Sequence, residues 1–187
     1  MIQHAKHIIF LLIILLASGC ASSIRFSSDQ TGETTKKNEP RATETLSRRS
    51  SDIETIEQKK EEKISADREK VVKIAQSWLG TPYVWGGNTR GGVDCSGLVK
   101  NVYEQIGINL PRTAQQQFEF ACRINDRELR PGDLLFYRKG NKISHVAIYI
   151  GKGEIIHSSS SAKGVIKQSF NDNYLSSIYV GAGRVLH

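Results

Sequence analysis

Apolar residues are concentrated in two parts of this chain of 187 residues. A short apolar run covers residues 8–16, and a polar stretch rich in Ser, Thr, Glu, Lys and Arg follows as far as about residue 66. Beyond it, apolar residues recur at regular spacing until the end of the chain. We therefore expect one folded domain over residues 67–187, because the polar stretch has too few apolar side chains to form a core.

The spacing of apolar residues within 67–187 predicts helices first and strands afterwards. Helical spacing appears twice, once before Gly80 and once between Cys95 and Gly107, and a glycine ends each helix. The apolar members are Val71, Ile74, Ala75, Trp78 and Leu79 in the first helix and Leu98, Val99, Val102 and Ile106 in the second. Strands are predicted at 134–137, 145–150, 154–158 and 179–186. This order indicates an α+β fold in which N-terminal helices pack on an antiparallel sheet.

The apolar run near the start has the features of a cleaved export signal over residues 1–19. A positive charge precedes the apolar core, and the small residues Ala17-Ser18-Gly19 stand before Cys20. This arrangement resembles a bacterial lipoprotein signal, although Ala17 occupies a position where such signals more often have Leu. The resemblance implies that Cys20 carries lipid, and ordinary cleavage with a free cysteine is the alternative. Ala21, the residue directly after Cys20, resembles the one found at that position in lipoproteins sorted to an outer membrane. We therefore expect the protein to be anchored by lipid to the outer membrane, facing the periplasm.

The polar stretch and the domain differ in charge as well as in hydrophobicity. Residues 20–66 are expected to form a flexible tether, with a charged helix opened by Ser51 and Glu54 as an alternative over part of it. The domain contains 16 Lys and Arg against 10 Asp and Glu. These basic residues are scattered, and an exported protein meets no nucleic acid, so no nucleic-acid partner is expected. A carboxylate-rich polymer such as a cell wall suits the charge better.

Cys95 is the candidate nucleophile. It follows a glycine-rich loop at 86–92 and begins the second predicted helix, where free backbone N–H groups and the helix dipole favour a thiolate. Its own N–H group, with the Tyr83 hydroxyl, is a candidate donor to an oxyanion. A buried core cysteine is the alternative. Cys122 is expected to be reduced and inert, because a disulfide with Cys95 would consume the nucleophile.

His145 and His157 are candidate partners for that nucleophile, since they lie on successive predicted strands. If Gly151-Lys152-Gly153 forms a three-residue loop, His157 falls opposite Ala147, and the two histidines share one face about 7–8 Å apart at Cα. A two-residue loop would place them on opposite faces. In this arrangement His145 takes the Cys95 proton and returns it to the leaving amine. His157 holds the base in its working tautomer.

Other interpretations of these side chains stay open. Each histidine could be a core residue without chemistry, and one cysteine with two histidines could ligate zinc. The glycine-rich helix start is unlike a closed structural zinc site, so neither a metal nor a cofactor is expected. Four neighbours have simpler interpretations: Trp85 as a packing residue, Asp94 as a helix cap, Asp133 as a turn residue, and Arg112 as an exposed arginine rather than a carboxylate ligand.

Several short motifs follow one another over nearly all of residues 67–187. They are Tyr83-Val84-Trp85-Gly86-Gly87, Asp94-Cys95-Ser96-Gly97-Leu98-Val99, Leu110-Pro111-Arg112-Thr113, Pro131-Gly132-Asp133-Leu134, His145-Val146-Ala147-Ile148-Tyr149-Ile150-Gly151 and Ile156-His157. Together they resemble the NlpC-type cell-wall peptidases, a bacterial branch of the papain-like cysteine peptidases. The resemblance implies a papain-like fold, with Cys95 as nucleophile, His145 as base, His157 as the third polar residue and Tyr83 near the oxyanion site.

The resemblance also implies a substrate class. Members of this family cut peptide bonds that involve D-amino acids or diaminopimelate in peptidoglycan stem peptides, and the lipoprotein signal is most similar to that of Gram-negative murein endopeptidases. A peptidoglycan endopeptidase is therefore the expected function, with stem peptides or their cross-links as substrate. A non-catalytic cell-wall-binding lipoprotein with the same fold is the main alternative, and acyl transfer by the same cysteine is another.

Overall fold

The structure, a computed structural model, describes residues 42–187. The predicted signal at 1–19, Cys20 with its predicted lipid, and the first part of the predicted tether lie outside the described residues. Among the residues described, no helix combines the length and the apolar character that crossing a membrane requires.

Most helices precede most strands along the chain. The helices are α1 (Ala42–Gln76), α2 (Cys95–Glu104), α3 (Ala114–Phe120) and α4 (Asn173–Ile178). The strands are β1 (Asn88–Thr89), β2 (Gly92–Val93), β3 (Cys122–Ile124), β4 (Leu134–Lys139), β5 (Lys142–Gly151), β6 (Glu154–Ser159), β7 (Gly164–Ser169) and β8 (Tyr179–Arg184). Strands β1 and β2 pair with each other, and the rest form a six-stranded sheet in the order β3-β8-β4-β5-β6-β7. Every pairing in it is antiparallel, so the predicted α+β fold is confirmed.

Two hydrophobic clusters cover opposite faces of the sheet, because side chains alternate along each strand. On β4, Leu134 and Phe136 belong to the larger cluster, while Leu135 and Tyr137 belong to the smaller one. The larger cluster joins the sheet to both long helices through Val71, Ala75, Trp78, Leu98, Val99 and Val102. The smaller cluster is closed by Leu175 of α4. Helix α2 is therefore anchored along its apolar side, with its first residue at the edge of the larger cluster.

Helix α1 begins earlier than the sequence analysis predicts. It covers 35 residues and starts at Ala42, so the prediction of a flexible tether does not hold for residues 42–66. Glu, Lys and Gln are good helix formers, and an i,i+4 pair such as Lys63–Asp67 supports the helix. The C-terminal part of α1 is held by Val71 and Ala75, which pack in the larger cluster. Once this part is helical, adding the preceding charged residues to the helix needs no new nucleus.

Asp133 has a larger role than the turn residue that the sequence predicts. The turn itself is present, since the Asp133 N–H donates to Arg130 O and Gly132 has a positive φ of 90°. The Asp133 carboxylate is fully buried and accepts hydrogen bonds from Arg68 of α1 and Arg184 of β8. It also accepts the Arg130 N–H at 2.8 Å. One carboxylate thus ties the first helix, the turn before β4 and the last strand together.

Candidate active site

The start of α2 is organised by Asp94. Its Oδ1 accepts the Gly97 N–H at 2.7 Å, which is the predicted N-cap, and its Oδ2 accepts the Gly86 N–H at 3.1 Å. A Cβ at Gly97 would clash with the carbonyl oxygen of Gly87, so the glycine-rich loop can pack directly on the helix. The sequence therefore folds locally so that the residue after Asp94, Cys95, emerges at the first turn of α2.

Arg112 is not a free surface arginine, contrary to the prediction. Its guanidinium binds both oxygens of Asp94, at 2.9 and 2.7 Å, and it also donates to Ser96 Oγ and Gly87 O. This bidentate pair lowers the pKa of Asp94, against the opposing and largest effect of burial. Arg112 thus joins the glycine-rich loop to the start of α2, and it is already satisfied by protein groups.

The Cys95 side chain is partly buried and lies against the backbone of β5. Its Sγ is 4.0 Å from Ser144 O. Burial raises the pKa of the thiol, and a hydrogen bond from the Val146 N–H lowers it. The register of β4 and β5 shifts next to His145, where Tyr137 pairs with His145 and Arg138 with Ile143. Ser144 is therefore the extra residue of a β-bulge, a feature that often redirects side chains near active sites.

The two imidazoles meet, as predicted. His145 Nε2 and His157 Nδ1 are 2.7 Å apart, and the rings pack edge to face with centroids 4.9 Å apart. Strand pairs Ile148–Ile156 and Tyr149–Ile155 have the predicted register, and continuing it places His157 opposite Ala147.

The connection between these strands differs from the prediction. Gly151 pairs with Glu154, so the loop has only the two residues Lys152 and Gly153, both with positive φ, as in a type I′ turn. Ile150 is the extra residue of a bulge before this turn, because the pairing shifts between Tyr149 and Gly151. The bulge restores the register that a plain two-residue loop would have displaced, and both histidines stay on one face.

Burial acts against the thiolate that the sequence predicts at Cys95. It raises the pKa of the Cys95 thiol to about 11, although the Val146 N–H opposes this. Burial also lowers the pKa of His145 to about 3, and the neighbouring His157 adds to that effect. Desolvation therefore favours the neutral thiol and the neutral imidazole, and the helix-start donors favour the thiolate.

Gln168 is a polar partner that the sequence analysis missed. Its Oε1 lies 2.9 Å from His157 Nε2, so a chain of contacts runs from His145 through His157 to Gln168. Gln168 is on β7, a strand that the sequence analysis did not predict. In the segment Gly164–Ser169 the two apolar residues, Val165 and Ile166, are adjacent and polar residues follow, so only the two β-branched residues hinted at a strand and the alternation was weak.

One open cleft of about 790 Å³ is lined by Cys95, His145, His157 and Gln168. Tyr83 also lines it and is partly buried. Burial raises the pKa of Tyr83, and the nearby Cys95 and Asp94 add to this effect. Trp85 lines the rim and is 84% exposed, so the prediction that it is a packing residue is wrong. Arg138, Lys139 and Lys142 form a basic wall.

Two further predictions concern the cysteines and metals. Cys122 is a free, exposed thiol at the start of β3, so it forms no disulfide with Cys95. Among residues 53–187, whose side chains the structure describes, no group of three or more His, Cys, Asp or Glu side chains is arranged to hold a metal ion.

Comparison with known proteins adds independent evidence. A family model described as the NlpC/P60 family matches residues 80–184. Murein DD-endopeptidase MepS/murein LD-carboxypeptidase of Escherichia coli K12 is 43% identical over 110 residues, which cover 58% of this chain and 58% of that protein. The chain therefore spans less than two thirds of this relative.

Solved structures match the same part of the chain. An NlpC/P60 family protein from Bacillus cereus has 32% identity and a TM-score of 0.62, covering 64% of this chain and 40% of that one. RipD from Mycobacterium tuberculosis, described as a non-catalytic NlpC/p60 domain protein adapted to peptidoglycan binding, has 25% identity and a TM-score of 0.56. The match covers 64% of this chain and 98% of RipD.

Proposed function

The chain belongs to the NlpC/P60 family, and we propose that it is a peptidoglycan endopeptidase with Cys95 as its nucleophile. The observation that carries the proposal is one cleft that contains a cysteine at a helix start and a pair of contacting imidazoles. The name of the Escherichia coli relative, a murein DD-endopeptidase, supports a peptide bond of peptidoglycan as the target. Cysteine hydrolysis follows from the chemistry of this residue set.

The first half-reaction forms a thioester. When substrate enters, the Cys95 thiol turns from Ser144 O and gives its proton to His145 Nδ1, since the Nε2 atom contacts His157. The sulfur attacks the carbonyl carbon of the scissile amide, and a tetrahedral oxyanion forms. His145 then donates the proton to the amide nitrogen, the C–N bond breaks, and the amine leaves.

The second half-reaction releases the enzyme. His145 takes a proton from a water molecule, whose oxygen attacks the thioester carbon. The C–S bond breaks, the sulfur regains the proton from His145, and a carboxylic acid leaves. The backbone N–H groups of Cys95 and Ser96 face the sulfur, so they are proposed to donate to the oxyanion in both halves, with the Tyr83 hydroxyl as a further donor.

The charge of the cleft suits a stem peptide. Arg138, Lys139 and Lys142 line one wall and are exposed, and the Asp94 carboxylate in the cleft is neutralised by Arg112. A substrate with free carboxylates is therefore favoured, and peptidoglycan stems contain such groups. The exposed ring of Trp85 provides an apolar surface at the rim for the peptide.

We further propose that Cys20 is the lipidated end of the mature protein and that the lipid anchors it to the outer membrane, facing the periplasm. The apolar run at 8–16 and the small residues before Cys20 support this proposal. Radiolabelled palmitate incorporation, lost in Cys20→Ser, tests the anchor.

A non-catalytic wall-binding protein is the second candidate, because RipD has a similar fold and is described as non-catalytic. The raised pKa of Cys95 also leaves the resting enzyme without a preformed thiolate. This candidate predicts that the protein binds sacculi and releases no fragments.

Cys95→Ala and His145→Ala test the proposal directly. Each is expected to lower the release of fragments from purified sacculi by at least about 10³-fold, because nucleophile and base act as one unit. Cys122→Ser is the matched control and is expected to keep full activity, since this thiol is exposed on β3. Mass spectrometry of the fragments measures activity, and circular dichroism confirms folding. Undiminished hydrolysis by Cys95→Ala would refute the assignment.

A further inference from the structure

The histidine pair continues into a hydrogen-bonded chain that ends on an acid. His157 Nε2 lies 2.9 Å from Gln168 Oε1. The pKa of Asp172 is lowered chiefly by the Leu175 N–H and also by the Gln168 side chain, so the Gln168 amide lies beside the Asp172 carboxylate. Asp172 is held in turn, because its Oδ1 accepts the N–H groups of Tyr174 and Leu175 at the start of α4. Gln168 and Asp172, the two members of this chain after His157, take no part in the reaction proposed above.

We propose that Gln168 is a positioning residue that sets the tautomer of both histidines, with Asp172 fixing the direction of its amide. The proposal rests on the function proposed above, in which His145 is the base. It extends the machinery from the strand pair β5–β6 to β7 and to the loop that begins α4.

The direction of the chain follows from what each atom can donate. A carboxylate only accepts, so Gln168 must turn its NH₂ group to Asp172 and its Oε1 to His157. An amide oxygen also only accepts, so the proton of neutral His157 is on Nε2. His157 Nδ1 is then an acceptor.

The protonation of His145, the proposed base, follows from that of His157. Because His157 Nδ1 accepts, His145 Nε2 must hold the proton of the short contact at 2.7 Å. His145 Nδ1 is therefore unprotonated in the resting enzyme and free to take the Cys95 proton. If the Gln168 amide were reversed, every donor in the chain would reverse, and His145 Nδ1 would carry a proton when Cys95 needs a base.

Burial makes this control effective. His157 is 3% exposed, and His145 contacts the buried ring of Tyr137, so water has little access to set the tautomer instead. Gln168 is only partly buried, and its amide would be free to rotate without Asp172. Asp172, the cap of α4, thus fixes the direction of the Gln168 amide and, through His157, the ring nitrogen of His145 that holds the proton.

Three variants of the full chain test the proposal. Gln168→Met keeps the length of the side chain and removes both hydrogen bonds, and we expect kcat to fall about 10²-fold with KM within about twofold. In the double variant Gln168→Glu with Asp172→Asn, the carboxylate at position 168 accepts the His157 N–H, and the amide at position 172 donates to that carboxylate. Most of the activity is therefore expected to return. Lys167→Met, the same substitution on the exposed neighbour, is the control and is expected to be silent.

The decisive measurement does not depend on activity. ¹⁵N NMR of histidine-labelled protein is expected to show His145 and His157 as Nε2-protonated tautomers in the wild type and in the double variant. Gln168→Met is expected to show a mixture of tautomers. If its tautomers match the wild type, the proposal is wrong, whatever happens to kcat. If the wild type hydrolyses no peptidoglycan but the tautomers behave as expected, the proposed function fails and the positioning role of Gln168 stands.

Discussion

Two arginine–aspartate clusters in this molecule have the same chemistry and different burial. At the start of α2, Asp94 caps the helix and binds Arg112, and these side chains are 13% and 33% exposed. Under the sheet, Asp133 closes a turn and binds Arg68 and Arg184, and its side chain is 1% exposed while theirs are 9% and 15% exposed. In both clusters a carboxylate accepts backbone N–H groups as well as guanidinium groups.

The difference in burial separates fold from function. The Asp133 cluster joins segments more than 50 residues apart in sequence and does not line the cleft that contains Cys95, so its contacts close the domain. The Asp94 cluster lines the cleft and holds the glycine-rich loop against the cysteine helix. A buried charge that loses its partner is costly, whereas a solvated one recovers water. The first cluster should therefore act on stability and the second on activity.

Asp133→Asn should have the largest effect on stability. It removes the charge that neutralises the buried guanidinium group of Arg68 and the partly buried one of Arg184, and we expect a loss of about 3–5 kcal/mol in the free energy of unfolding. Urea denaturation measures this loss. Glu104→Gln on the exposed side of α2 is the control, since the Glu104 side chain is 53% exposed and pairs with Lys100, and it should cost less than about 1 kcal/mol. Equal losses in both variants would show that burial does not distinguish the clusters.

Arg112→Lys should affect activity more than stability. A lysine cannot bind both Asp94 oxygens and Gly87 O together, so the loop loses its tie to α2. We expect about 1 kcal/mol of lost stability and at least a tenfold fall in the release of fragments from sacculi. Denaturation and fragment analysis of one preparation measure both. Full activity in a destabilised variant would place Arg112 among purely structural residues.

The smallest effect concerns the titration of Cys95. Its pKa is raised to about 11, chiefly by burial and further by the charge of Asp94, so the thiolate fraction should grow about tenfold for each pH unit between 7 and 10. Alkylation by iodoacetamide should follow this slope, and Asp94→Asn should speed it by less than tenfold. Peptide mapping separates Cys95 from the exposed Cys122, which is the internal reference. A rate independent of pH near neutrality would indicate a thiolate–imidazolium pair instead.

Local patterns predicted much of the fold and the central part of the site. Alternation along 145–150 and 154–158 placed His145 and His157 on successive strands. Their shared face depends on the bulge at Ile150, which offsets a loop one residue shorter than the prediction. Glycines and a helical repeat located Cys95 at the start of α2. These features depend on neighbours in sequence, which a single chain displays.

What the sequence did not reveal depends on distant partners. Arg112 and Asp94 are 18 residues apart, and Arg68 and Asp133 are 65 apart, so neither pair has a local signature. Gln168 was missed because a half-exposed edge strand has a weak alternation. Trp85 was wrongly assigned to packing, since the size of an aromatic ring does not say whether a cleft or a core receives it.

The bulge at Ile150 makes the β5–β6 hairpin sensitive to the loss of one residue. Deleting Ile150 would leave a plain two-residue turn, shift the pairing of the following strand by one residue and send His157 to the far side of the sheet. A hairpin grafted here should therefore keep the bulge together with the turn, because a shortened copy would silence the histidine without touching it.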